Sequence, residues 1–298
     1  MNIILCYNDI NRFFTPGSYV LKELSNQNEI FINAHCRIPE DTGICRESSN
    51  PDTDLILIVD DGTHFKMHHE RGFLPKKCKV AFWISDLHRS DWSVHRLQMI
   101  REFKFDHVFY AQKNFRQKIL DCNYQQHECS WLPHATDADI FKPMPWIDKK
   151  YDIGFVGYLN SKREQTINVL KEYVNFKHFA SVWSWQACHN MNELKIGLNV
   201  PVEDDVLNMR CFETMSVGIP LLTSRVVGNG MEDFFEEDKD YLAFSDDQEL
   251  KEKAVRLLAS PDLRKTIADS ARNKVLAMHT YRNRINSLLA TMGFNMLK

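Results

Sequence analysis

Asn208-Met209-Arg210-Cys211-Phe212-Glu213-Thr214-Met215-Ser216-Val217-Gly218-Ile219-Pro220-Leu221-Leu222-Thr223-Ser224 decides how this chain is read. Met209, Phe212 and Met215 recur every third residue, the spacing of an apolar helix stripe. Arg210 and Glu213 stand three apart and so share a different face of that helix. Gly218 sits where a left-handed C-cap belongs, and Pro220 forbids continuation. The apolar run from Ile219 to Leu222 then enters a sheet, with Thr223 and Ser224 at its carboxyl end. In open α/β sheets, ligands gather at the carboxyl ends of strands. Taken alone, an Arg–Glu pair on an amphipathic helix is an ordinary surface pair.

Upstream, Leu194–Val200 reads as a strand that leads through Pro201-Val202-Glu203-Asp204-Asp205 to the helix. Asp205 has two readings of equal standing: an N-terminal cap or dipole partner, or a ligand contact. An earlier strand, from Tyr151, ends in Gly157-Tyr158-Leu159-Asn160-Ser161-Lys162-Arg163. Ser161 is a candidate N-cap there, and Lys162 with Arg163 is either a surface pair or a pair of cations at a helix start. A glycine, fixed cations and a helix N-terminus suit an anion on which charge develops. Trp183 and Trp185 could flank an aromatic ring, but two Trp at spacing two more often lie one buried and one exposed. Downstream, Tyr241–Phe244 is a last strand, Ser245-Asp246-Asp247 caps a helix, and Ser260-Pro261 opens another by the N-cap and Pro-at-N1 rule.

With these segments in view, the central stretch resembles the nucleotide-sugar motif of the GT-B glycosyltransferases, marked by two acidic residues with seven residues between them. Its form, Arg-x-Phe-Glu-x-x-x-x-Gly-x-Pro-Leu-Leu-Thr, is most similar to the CgeB-like branch of group 1. Residues 277–284, containing His279-Thr280-Tyr281 and Arg284, match the terminal His-Thr-Tyr-x-x-Arg signature of that branch, which reads as packing and not chemistry. The resemblance implies an α/β fold of two Rossmann-like domains facing across a cleft, the last helix crossing back to the first domain. It implies a donor set of Gly17, Gly157, Tyr158, Lys162, Arg163, Asp205, Asn208, Arg210 and Glu213, with Glu213 on the ribose hydroxyls. Asp205 stands where the family has a glutamate, one methylene longer. The implied donor is a nucleotide sugar, UDP-linked, used as substrate with no cofactor and no metal, and the implied transfer retains configuration.

The amino-terminal half alternates strand-like runs (Ile3–Tyr7, Ile30–His35, Leu55–Val59, Val80–Ser85, His107–Ala111, Ser130–Leu132) with helical patterns, as a mostly parallel sheet requires. No Gly-x-Gly-x-x-Gly follows the first strand, which excludes the nicotinamide dinucleotide fingerprint. Thr15-Pro16-Gly17-Ser18 opens a helix, and Gly17 is either a backbone approach to a phosphate or a plain Pro-Gly turn. Asp86 and His88 follow a buried strand; either they are the acceptor-side catalytic candidates, since His handles protons near neutrality and Asp can orient it, or Ser90 and Asp91 cap the next helix and His88 is a solvated loop residue, while Arg210 is the catalytic candidate on the donor side. Asp60-Asp61-Gly62 reads as a strand-end turn. Trp131 to Pro145 is a Pro-punctuated crossing, which puts the boundary near 145. The domains are then 1–145, acceptor side, and 146–298, donor side, the last helix (about 280–298) packing on the first.

The 298 residues, 44% apolar and 26% charged, suit a soluble two-domain enzyme, and a net charge of -3 gives no general nucleic-acid footprint. Eight cysteines without a Cys-x-x-Cys pair argue for reduced thiols in a cytoplasm. The amino terminus reads as a strand and not a signal peptide, and no window is long enough to span a membrane. The expectation is a glycosyltransferase acting on a saccharide or other hydroxyl acceptor. DNA is a minor acceptor alternative, resting on the basic faces of the amino half. The alternatives to a transferase are a non-catalytic binding protein on the same fold and a sugar-nucleotide epimerase.

Overall fold

The computed structural model describes residues 1–7, 14–36, 52–60, 63–70, 77–85, 90–202 and 206–297. The chain divides into two compact units, Met1–Pro133 with Tyr281–Lys298, and His134–Thr280. Asp86, His88 and Asp205 lie outside the described residues.

The first unit holds β1 (Asn2–Tyr7), α1 (Pro16–Ser25), β2 (Phe31–Cys36), β3 (Leu55–Val59), α2 (Thr63–Glu70), β4 (Lys79–Ile84), α3 (Ser90–Glu102), β5 (His107–Tyr110), α4 (Arg116–Leu120) and β6 (Cys129–Trp131). The strands form one parallel sheet in the order β2-β1-β3-β4-β5-β6. Every residue of β3, Leu-Ile-Leu-Ile-Val, is buried, as a parallel strand covered on both faces must be. Asp60 is more than the strand-end turn that the sequence suggests. It adopts φ 64°, is buried, receives the Ser85 backbone N–H at 2.7 Å and the Arg96 Nε–H on its own carbonyl at 2.9 Å. Its carboxylate pairs with Arg96 at 3.5 Å. It pins the ends of β3 and β4 to α3.

The last helix, α10 (Tyr281–Thr291), closes this unit by packing on α1. The Tyr281 ring lies 4.9 Å from Tyr19 and 6.2 Å from Trp83, and Arg284 donates from Nε to Pro133 O at 2.8 Å. Trp83 itself donates to Leu132 O at 2.9 Å. His279 and Thr280 belong to the other unit: Thr280 bridges Thr136, and the His279 ring lies among Phe212, Phe234 and Phe235. The His-Thr-Tyr-x-x-Arg signature is therefore packing, divided between two cores.

The second unit holds β7 (Tyr151–Val156), α5 (Ser161–Lys171), β8 (Phe176–Phe179), α6 (Ser184–Asn192), β9 (Leu194–Asn199), α7 (Met209–Val217), β10 (Leu221–Ser224), β11 (Leu242–Phe244), α8 (Asp247–Ala259) and α9 (Pro261–Met278). Its parallel sheet runs β11-β10-β9-β7-β8. The crossing segment packs here: Ser216 Oγ donates to Phe141 O, and Met144 N–H to Asn192 Oδ1 at 2.8 Å. Asp246 caps α8 and Ser260 caps α9, each side chain accepting a backbone N–H three residues on, as their spacing predicts.

α7 is the organising helix. Gly218 ends it in the left-handed region at φ 78°, with its N–H on Met215 O at 3.0 Å, and Arg272 of α9 donates to Ser216 O at 3.1 Å. The apolar stripe understates its burial, since all seven residues from Cys211 to Val217 are buried. The reason is close approach to the sheet: a Cβ on Gly197 of β9 would lie 2.5 Å from Thr214 Cγ2. Gly197→Ala is therefore expected to overpack this interface and cost about 1–3 kcal/mol, read as a lowered midpoint in denaturant. An unchanged midpoint would show that α7 can back away from β9.

Candidate functional site

The carboxyl edge of the second sheet is where Gly157, Lys162, Arg163, Asn208, Arg210 and Glu213 of the predicted residues lie. β7 ends at Val156 and turns at Gly157, whose φ of 153° and 3.2 Å Cβ approach to the Phe155 ring favour glycine. Gly157 N–H donates to Phe179 O at 3.1 Å, and its carbonyl faces His178 Nε2 at 2.8 Å. Tyr158 projects outward and is 77% exposed. The N-cap of α5 is Asn160, whose Oδ1 accepts the Arg163 N–H at 3.0 Å; Ser161 lies inside the helix, a one-residue correction to the sequence reading. Lys162 is half-buried on the first turn.

Arg163 is not a surface cation. Its guanidinium is buried over the Phe155 ring at 5.1 Å, donating from Nε to Val200 O at 2.8 Å and from Nη1 to Tyr158 O at 2.7 Å. It thus ties the end of β7 to the end of β9. Burial pulls the guanidinium below its ordinary value, and the charge of Arg210 pulls it further. Two cations that repel each other at the same strand ends make a place that favours an anion.

Arg210 and Glu213 rise from the first turn and middle of α7, with Arg210 Nη1 2.6 Å from Glu213 Oε2. Glu213 is 2% exposed, whereas 18% of the Arg210 side chain is open to solvent. Burial pushes the Glu213 carboxyl above its usual range, against the opposing pull of Arg210. Asn208 is the N-cap residue by backbone, but its side chain does not cap the helix. Instead its Nδ2 donates to Asn199 Oδ1 at 3.0 Å, and Asn199 Nδ2 donates to Thr223 Oγ1 at 3.1 Å. This chain of amides and a hydroxyl fixes the ends of β9 and β10 against α7. Beside it a cavity of about 30 Å³ is lined by Asn199, Cys211, Thr223, Asn229 and Tyr241, among others. Asn199 was not singled out from sequence; the signal it offers is a lone amide closing the strand run Leu-Lys-Ile-Gly-Leu-Asn.

Gly17 lies in the first unit, on α1, where a Cβ would stand 2.4 Å from Tyr7 Cβ. Packing of α1 on β1 is thus sufficient reason for glycine. Gly17→Ala is expected to lower the unfolding midpoint while leaving phosphate-ligand affinity of the folded protein within about twofold, since overpacking costs about 1–3 kcal/mol of stability. A large affinity loss at unchanged stability would give Gly17 a binding role instead. Trp183 and Trp185 are about half exposed, where the chain leaves β8 and enters α6, and Lys142 lies over the Trp185 ring at 5.4 Å. A larger groove, about 560 Å³, lies in the first unit at the amino edge of its sheet, between Met1, Glu29, Asp54 and Phe294. The smaller polar edge of the second sheet remains the site: Asp60 and Arg96 also bury charge at strand ends of the first sheet, but they pair with each other and with backbone, whereas Arg210 keeps an open side. Among the described residues no three His, Cys, Asp or Glu side chains are grouped to hold a metal ion, and no helix is long and apolar enough to cross a membrane.

Residues 145–290 match the model of the glycosyl transferase-like family. No curated protein matches the sequence significantly. Among solved structures, the chain is similar to Anabaena Alr3699/HepE in complex with UDP and glucose, at a TM-score of 0.70 and 11% identity, over 98% of this chain and 99% of that one. It is similar to the sucrose-phosphate synthase of Thermosynechococcus elongatus at a TM-score of 0.65 and 11% identity, over 98% and 97%. It is also similar to an alpha-glucosyltransferase in complex with UDP-glucose and DNA containing an abasic site, at 0.65 and 11%, over 94% and 96%. The two parallel-sheet units have the GT-B fold. The family match spans just under half of the chain, and the likeness to these solved structures shows the fold.

Proposed function

We propose that this GT-B chain moves a sugar from a nucleotide-sugar donor to an acceptor hydroxyl, holding the donor at the carboxyl edge of its second sheet. The observation that carries this reading is the grouping there of Arg163, Arg210 and a fully buried Glu213. Arg210 and Lys162 receive the diphosphate, and Arg163 adds fixed positive charge from behind. As the sugar leaves, charge grows on the diphosphate, and pre-placed cations stabilise it without reorganising. Glu213 accepts the ribose hydroxyls. The Gly157 turn lets backbone approach the phosphates, and Asn208 sets the entry to α7.

Solved neighbours hold UDP or UDP-glucose, which makes a uridine diphosphate the first donor nucleotide to try. Asp86 and His88 are the acceptor-side candidates, as the resemblance implies. In our reading the transfer retains configuration, needs no metal and uses a saccharide acceptor, and the Arg-x-Phe-Glu and His-Thr-Tyr-x-x-Arg signatures favour the CgeB-like branch. The leaving phosphate assists the incoming hydroxyl, so no protein nucleophile is assigned.

A thermal-shift panel of nucleoside diphosphates and their sugars tests this. A ligand at a hundred times its dissociation constant adds about 2.7 kcal/mol to stability. One nucleoside diphosphate is expected to raise the midpoint, and its sugar to be released slowly in water or transferred to a glycan. No shift with any member would move a non-catalytic binding role to the front.

A further inference from the structure

Arg210 stands between two competing demands. Its Nη1 lies 2.6 Å from Glu213 Oε2, yet both atoms are buried and neither makes a hydrogen bond, so the contact has charge attraction without hydrogen-bond direction. Its charge is also felt by Arg163, a like charge that cannot give way because two backbone carbonyls hold it. Of the three charged groups, Arg210 is the one with solvent access. A long side chain with a poorly directed partner, a fixed like charge within its electrostatic reach and an open side is one that can be redirected by an anion.

We propose that Arg210 is a diverter that couples the two halves of the donor, pairing with Glu213 until a phosphate draws it away and frees the Glu213 carboxylate for the ribose hydroxyls. This rests on the donor-site reading above and adds an order to it. The phosphate group is recognised by a guanidinium that must leave a carboxylate, and the ribose by the carboxylate so released. Each half of the donor therefore strengthens the other, and a sugar lacking the nucleotide, or a nucleoside lacking phosphate, binds poorly. Coupling of this kind is reciprocal by thermodynamic necessity.

The test uses the whole chain and two separate probes, inorganic phosphate and the nucleoside whose diphosphate binds best. The nucleoside dissociation constant is measured by titration with and without saturating phosphate. Phosphate is expected to tighten nucleoside binding by at least about fivefold, the lower end of usual coupling. In Arg210→Met and in Glu213→Gln the factor is expected to fall to about one. Glu213→Gln, nearly the same shape, keeps the test open if Arg210→Met does not fold. A wild-type factor of one, or nucleoside binding in neither condition, while the nucleoside diphosphate still binds, overturns the diverter and leaves the donor site standing. A factor that survives in both variants also overturns it, since the ligands would then be coupling directly. Failure of the nucleoside diphosphate itself to bind sinks both readings.

Discussion

Glu213→Ala is expected to weaken nucleoside-diphosphate binding on the order of 10- to 100-fold, because hydrogen bonds to a charged acceptor are worth about 1.5–3 kcal/mol. The carboxylate is held in the middle of α7, whose seven buried residues from Cys211 to Val217 leave it no alternative position. Stability should suffer less than affinity. Removing one partner of a fully buried ion pair costs about 3–5 kcal/mol, but Arg210 retains solvent access and can turn outward. Glu213→Gln keeps the volume and loses the charge, so it should show most of the affinity loss with a near-native midpoint. Isothermal titration of wild type and both variants checks this. Equal affinity in all three would mean that Glu213 is a structural carboxylate and that the ribose lies elsewhere.

The second large effect is on stability as well as binding. Arg163→Met removes the donor to Val200 O and Tyr158 O; the buried Val200 carbonyl left without a partner costs about 1–3 kcal/mol, whereas the part-buried Tyr158 carbonyl can turn to water. A loss of about 1–3 kcal/mol follows, which for a unit of this size lowers the melting temperature by about 2–12 °C. Donor affinity falls too, since the ends of β7 and β9 lose their tether and the site loses a fixed charge. Arg163→Lys should be intermediate: an ammonium keeps the charge but lacks the fork that reaches two carbonyls at once. Thermal unfolding of the two variants reads the effect directly. A melting temperature unchanged in Arg163→Met would show that the tether is not needed.

How much of this was legible depended on whether the governing contact was local. The end of α7 at Gly218 and the caps at Asp246 and Ser260 depend on neighbours within a few residues, and spacing alone located them. The cap of α5 was misplaced by one because Asn160 and Ser161 are both good N-caps, and only backbone geometry chooses between them. Strand β8 escaped notice because Phe-Lys-His-Phe is short and half-buried throughout, giving no clean alternation. The full burial of α7 was hidden for a different reason: it depends on Gly197, Phe141 and Arg272, which belong to other elements.

The site shows the same division. Glu213 and Arg210 were found together because they are neighbours on one helix. Arg163 was found as a cation, but its carbonyl partner Val200 is 37 residues away, so its role as a tether was invisible. Asp60 looked like a turn, since Ser85 and Arg96, the groups that make it an anchor, lie 25 and 36 residues on.

The measurement that tests the central claim most directly is a crystal structure of the protein with the nucleoside diphosphate that shifts its melting temperature most. The account predicts diphosphate oxygens within hydrogen-bond distance of Arg210 and beside Lys162, with both ribose hydroxyls on the Glu213 carboxylate. A nucleotide seated instead in the groove between Met1, Glu29, Asp54 and Phe294, with Arg210 still on Glu213, would contradict it.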